Sequence, residues 1–134
     1  MSIEVNKEVA RRYYEEFVNK RRLDLVDEII AEDAVDEAAG IGGAGREAFR
    51  QHATWLWETV EDVQTTITDL IAEGDRVVVY WRMDGIHRGT MFGVPGTGRR
   101  FIGHSVSLIT FRDGQVVRYS VLPDRLGIIQ QVAS

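Results

Sequence analysis

The feature that most constrains this chain is a change of period. Up to Val60 the apolar residues recur three and four positions apart, and from Val63 to Leu122 they alternate in steps of two. Alternation of that length predicts strands with one buried face. We place them at 63–71, 76–87, 99–112 and 115–122. Glu73-Gly74-Asp75 and Asp113-Gly114 are turn sequences that join neighbouring strands as hairpins. A longer glycine-rich loop, 89–98, separates the second strand from the third.

Upstream, Val9, Ala10, Tyr13, Tyr14, Phe17 and Val18 form the apolar stripe of a helix from Lys7 to Asn19, with Asn6 as its N-cap. A second helix opens at Asp24 and carries Leu25, Val26, Ile29 and Ile30. The short link between the two predicts an antiparallel helical hairpin. The third helix runs from Arg46 to Val60, with Phe49, His52, Ala53 and Leu56 on one face and Trp55 and Trp57 beside it. Helices first and strands afterwards is the order of an α+β domain. At 134 residues the chain suffices for one such domain, residues 1–134, with its own core.

Charge and composition narrow the function. The net charge of −5, from 16 basic and 21 acidic residues, argues against a nucleic-acid partner, which needs a basic surface. With no cysteine, thiolate nucleophiles, disulfides and Cys-bound metals are excluded. The spacing of His52, His87 and His104 matches no standard metal set. No apolar run approaches the ~20 residues of a membrane span, and the first residues carry no signal-peptide pattern, so the expectation is a cytoplasmic protein without a membrane partner. Gly40, Gly42 and Gly45 form a G-x-G-x-x-G before a helix. Acids and alanines precede it and no βαβ unit surrounds it, so it is rejected as a dinucleotide site.

The segments 71–78, 85–89, 93–99 and 124–131, Ile-Ala-Glu-Gly-Asp-Arg-Val-Val, Gly-Ile-His-Arg-Gly, Gly-Val-Pro-Gly-Thr-Gly-Arg and Asp-Arg-Leu-Gly-Ile-Ile-Gln-Gln, together resemble the SnoaL-like polyketide cyclase branch of the NTF2-like superfamily. The resemblance implies three N-terminal helices packed in a strongly curved mixed or antiparallel sheet that encloses a cavity. It also implies a homodimer through the outer face of the sheet. The implied activity is cofactor-independent ring closure of a polyketide-like carbonyl compound, an aromatic or hydrophobic small molecule, with Asp124 as general acid and base. The chain departs from the branch at Ser120, where a Trp is common, and at Glu37, where a His often stands.

In an intramolecular aldol reaction a base takes a proton beside one carbonyl, the enolate carbon attacks a second, and an acid protonates the new alkoxide. One carboxyl group can do both transfers, and apolar surroundings suit it by disfavouring the charged form. Asp124, beside Val121, Leu122 and Leu126, is the candidate. To polarise the carbonyl the candidates are His104, His87, Arg82 and Tyr14. His104 is preferred because it alternates with Ile102, Val106 and Leu108 on the more apolar face of its strand. The other expected substrate contacts are His52 on the third helix, Trp55, and Tyr14 and Phe92 at the mouth. Two alternatives stay open. Arg82-x-Asp84 resembles part of the limonene-epoxide hydrolase triad of the same superfamily, although Val121 replaces its second acid; and the fold also serves non-catalytic ligand binders.

Overall fold

The computed structural model describes residues 2–133. Ser2 caps helix α1 (Ile3–Arg12) by accepting from the Val5 amide. The expected cap, Asn6, is instead buried inside the helix. At Tyr13–Val18 the helix widens to π geometry. That extra residue per turn brings Tyr13, Tyr14, Phe17 and Val18 all to the buried side, a local distortion frequent at functional sites.

The second helix is shorter than its pattern suggested. A 3₁₀ turn, Leu23–Leu25, leads into α2 (Val26–Ile29), and Ile30 already opens strand β1 (Ile30–Asp36). A helical hairpin does not form; α2 packs against β1 and against a later helix and strand, 46–59 and 115–123. Then follow β2 (Gly43–Ala44), α3 (Arg46–Thr59), β3 (Val60–Glu73), β4 (Arg76–His87), β5 (Arg100–Arg112), β6 (Gln115–Pro123) and α4 (Arg125–Val132). The four long strands were expected within three residues of where they lie. β1, β2 and the C-terminal helix were not expected.

The six strands form one curved mixed sheet in the order β2-β1-β6-β5-β4-β3, with β1 parallel to β6 and the other pairs antiparallel. Register shifts in β3 between Glu61 and Gln64 and between Ile67 and Asp69 bend that long edge strand. Side chains alternate across the sheet. Val77, Val79, Trp81 and Met83 of β4 and Phe101, Ser105, Ser107 and Ile109 of β5 face the helices and are buried. Tyr80, Ile102, Val106 and Leu108 face out and are exposed. The core proper lies between the sheet and α1, α2 and α3, around Phe17, Leu25, Ile29, Ile30 and Phe49.

The glycine-rich stretch folds the chain back over the end of β1. A Cβ on Gly42 would stand 2.1 Å from the Asp36 carbonyl oxygen, so only glycine fits there. Gly45 precedes α3 at φ 88°, a conformation that side chains disfavour. These glycines serve a close backbone turn, and the turn encloses Asp36.

Candidate functional site

Between the π-helical segment, α3 and the inner face of the sheet lies a cavity of about 460 Å³. Its walls are mainly apolar: Phe17, Ala53, Leu56, Met83 and Val121 line it, with Met91 and Ile128 toward the end closed by the 89–98 loop and α4. Pockets of this size and character, with a few converging polar groups, are the usual form of a small-molecule site.

The first polar group is a buried network at the sheet wall. Trp81 Nε1 donates to Ser107 Oγ (2.9 Å), Tyr14 donates to the same oxygen (2.7 Å), and Ser107 donates to the Tyr119 hydroxyl (3.1 Å). The Tyr119 and Tyr14 hydroxyls are 2.8 Å apart. With Ser107 and Tyr14 already committed as donors, the Tyr119 proton is free either to close the ring onto Tyr14 or to turn to a ligand. Burial pushes the Tyr119 pKa up to about 12, and burial pushes Tyr13 and Tyr14 well above the ordinary phenol value. All three remain neutral donors across the physiological range.

The second polar group lies where β1 meets α3. Asp36 closes β1 pointing inward and is fully buried, its Oδ1 accepting from the Ala38 amide (3.0 Å) and its Oδ2 lying 2.6 Å from His52 Nδ1. An ionised carboxylate only accepts, so Nδ1 carries the proton, and in the neutral imidazole Nε2 presents a lone pair. His52 lines the cavity. Among the described residues the buried side-chain polar atoms without a partner are Asn6 Oδ1 and His87 Nε2. The unbonded Nε2 of His52 is not one of them and is therefore accessible, on a side chain that lines the cavity. The Tyr119 ring stands 6.3 Å from the imidazole, centroid to centroid.

The third group is at the mouth. Arg125 and Phe92 both line the cavity, and the guanidinium lies 5.6 Å over the ring. Phe92 sits at φ 51° and Gly93 at φ 78°, in the tight turn closed by the Met91–Val94 bridge.

Of the expected contacts, His52, Trp55, Tyr14 and Phe92 come together in this cavity. Tyr14 is buried at its wall, not at the mouth. His104 is on the opposite side of the sheet, exposed with Ile102, Val106 and Leu108. The strand's more apolar face turns out to be the outer one, because the inner face carries Gly103, Ser105 and Ser107 for the cavity and for α4. A Cβ at Gly103 would meet Ile128 at 2.8 Å. Arg82 is also on the outer face, paired with Asp84 at 3.4 Å, so the epoxide-hydrolase alternative has no cavity to act in. His87 faces inward but is fully buried and off the cavity lining, its Nδ1 3.2 Å from Thr97 Oγ1, where it ties down the 89–98 loop.

Asp124 is exposed at the N-cap of α4, where Oδ1 accepts from the Gly127 amide at 3.0 Å. The apolar surroundings expected for it do not form: Leu122 and Leu126 are 74% and 66% exposed. Its chain neighbours Pro123 and Arg125 both line the cavity, whereas Asp124 itself does not. Sequence reasoning missed Asp36, Ser107, Tyr119 and Arg125 as site residues. The parity of β1, which turns Ala34 and Asp36 to one side, was the available signal for Asp36. No group of three or more His, Cys, Asp or Glu among the described residues could hold a metal, and no described helix is long and apolar enough to cross a membrane.

The family model for SnoaL-like polyketide cyclases matches residues 8–132. The chain belongs to that family. It is 32% identical over 117 residues to the nogalonic acid methyl ester cyclase of Streptomyces nogalater, covering 85% of this chain and 87% of the relative. It is 34% identical over 89 residues to the aklanonic acid methyl ester cyclase of Streptomyces peucetius, covering 66% of this chain and 61% of that protein. The solved SnoaL-like protein of Jannaschia sp. CCS1 superposes with a TM-score of 0.88 at 24% identity, over 100% of this chain and 96% of that one. The expected NTF2-like fold is thus the observed one, with a fourth helix added.

Proposed function

We propose that the protein closes a ring in a polyketide-like carbonyl compound by general acid/base catalysis, with the substrate lodged in the inner cavity. The observation that carries this is the cavity itself: apolar walls, a neutral Tyr119 hydroxyl in its lining and a cation at its mouth. Cyclase relatives that cover most of the chain support the class. A flat aromatic body fits against Tyr13, Phe17 and Trp55. Tyr119 is positioned to donate to an oxygen on which enolate charge develops.

The proton transfers are assigned to Asp124, between two lining residues. It takes the proton beside one carbonyl, and the enolate carbon bonds to the second carbonyl carbon. That carbonyl's π pair becomes an alkoxide, which takes the proton back. Only protons and one carbon–carbon bond change, so the proposal asks for no metal or organic cofactor. The product is an isomer of the substrate. Incubation with nogalonic acid methyl ester, followed by chromatography with mass detection, should give a new species of unchanged mass. Saturable binding without that species would replace the cyclase reading by that of a ligand binder.

The exposed apolar outer face is proposed to be covered by a second copy of the chain. Arg82 and Asp84 lie side by side there, so two copies related by a two-fold axis can set each against the other. Light scattering should give twice the chain mass, reduced to the single mass by Val106→Glu with Leu108→Glu. A monomeric wild type would remove this proposal.

A further inference from the structure

We infer that His52, oriented by Asp36, is the hydrogen-bond acceptor through which the cavity selects ligands bearing an aromatic hydroxyl. The inference deepens the cyclase reading, resting on it for the cavity being the substrate's site, and it names the chemical class that the site admits.

The argument is one of complementarity. Several polar groups around the cavity are already engaged: Tyr14 and Trp81 donate to Ser107, and Thr65 Oγ1 is bonded to Asn19 Oδ1 and the Tyr14 carbonyl. The Tyr13 and Ser105 hydroxyls and the Trp55 indole N–H, also in the lining, each keep a proton to donate. His52 Nε2 is different. In the neutral imidazole it is an acceptor held in one tautomer, on a side chain that is only 16% exposed, and no described protein group donates to it. Asp36 is itself fixed at both oxygens, so the imidazole has little freedom to turn or to exchange its proton between nitrogens. Trp55, 6.2 Å away, and Tyr119, 6.3 Å away, flank the imidazole. An aromatic ligand stacked among these rings therefore meets a lone pair at its edge. A hydroxyl there satisfies Nε2, whereas a methyl ether leaves it desolvated and unpaired, the more costly outcome. No covalent step is involved.

Asp36 acts through His52, as a positioning residue, and its replacement makes a specific forecast. In Asp36→Asn the oxygen stays with the Ala38 amide, so the new NH₂ faces His52 Nδ1. The imidazole proton must then move to Nε2, turning the acceptor into a donor.

The test uses two probes of equal ring system, 2-naphthol and 2-methoxynaphthalene, with binding read from quenching of the tryptophan fluorescence. Wild type should bind the naphthol about tenfold more tightly, as expected for one hydrogen bond to a buried acceptor. His52→Leu should bind the two equally, and Asp36→Asn should lose the preference while the imidazole ¹⁵N spectrum shows its proton moved from Nδ1 to Nε2. Thermal melting checks that each variant is folded. Equal binding of the two probes by wild type, absence of binding, or a preference that survives in His52→Leu would overturn the inference. None of these readings depends on turnover, so failure of the ring-closure assay remains a separate result.

Discussion

Two corners of the molecule each present a carboxylate, and they differ in nearly every physical respect. At the end of β1, Asp36 is buried, with both oxygens bonded and a histidine fixed in the cavity wall. At the end of β6, Asp124 is exposed, bonded only to the first turn of α4, and stands outside the lining between two residues that belong to it. Local sequence points the other way: Asp36 lies in an acidic stretch, whereas Asp124 is flanked by apolar residues. What decides is where each strand ends. β1 runs inside, under the glycine turn, and β6 emerges at the surface. A buried, bonded carboxylate holds geometry, and an accessible one is free to exchange protons.

That contrast can be broken by mutation. The largest loss of stability should come from Asp36→Ala, which strands the Ala38 amide and the His52 Nδ1–H in the interior. About 3 kcal/mol is expected, read from urea denaturation. A loss as small as that of a surface change would remove Asp36 from its structural role.

The tyrosines beside Asp36 give a pH test. The Tyr119 pKa is raised from 10 to about 12, chiefly by burial, with Asp36 contributing. The folded state therefore keeps its proton where the unfolded state gives it up. The stabilisation is complete below pH 10 and is lost as pH rises through about 12, up to roughly 2.7 kcal/mol. Tyr13 and Tyr14 shift in the same direction. Tyr119→Phe should flatten, without abolishing, the alkaline fall in stability, and an unchanged alkaline limb would contradict the assignment. The smallest effect belongs to the end of β6. Asp124→Ala should cost about 1 kcal/mol, the value of an N-cap, and Asp124→Asn almost nothing, because Asn caps equally well.

The sheet was legible in the sequence because alternation in β4 and β5 is strict and the turns carry their own signals. β1 was not. Its Ile-Ala-Glu-Asp-Ala-Val-Asp mixes buried and exposed positions irregularly, and its ladder to β6 joins residues more than 80 apart. The site was legible only in part. His52 and Trp55 followed from the helical face of α3, and Tyr14 from α1, although only the π-helical widening explains why Tyr13 and Tyr14 are both buried. His104 was misplaced because the more apolar face of β5 is the outer one, and the curvature, which no local pattern encodes, decides which face is concave. The pairing of Asp36 with His52 is likewise tertiary, made by a glycine turn that brings a strand end to a helix.

The most direct test of the account is the ring-closure kinetics of Asp124→Asn beside those of His52→Leu, with nogalonic acid methyl ester as substrate. If Asp124 moves the proton and His52 holds the ligand, Asp124→Asn loses kcat by about 100-fold or more at nearly constant KM and melting temperature. His52→Leu then raises KM about tenfold with a far smaller change in kcat. Full kcat in Asp124→Asn, or a loss of kcat confined to His52→Leu, would contradict this division of labour between the two corners.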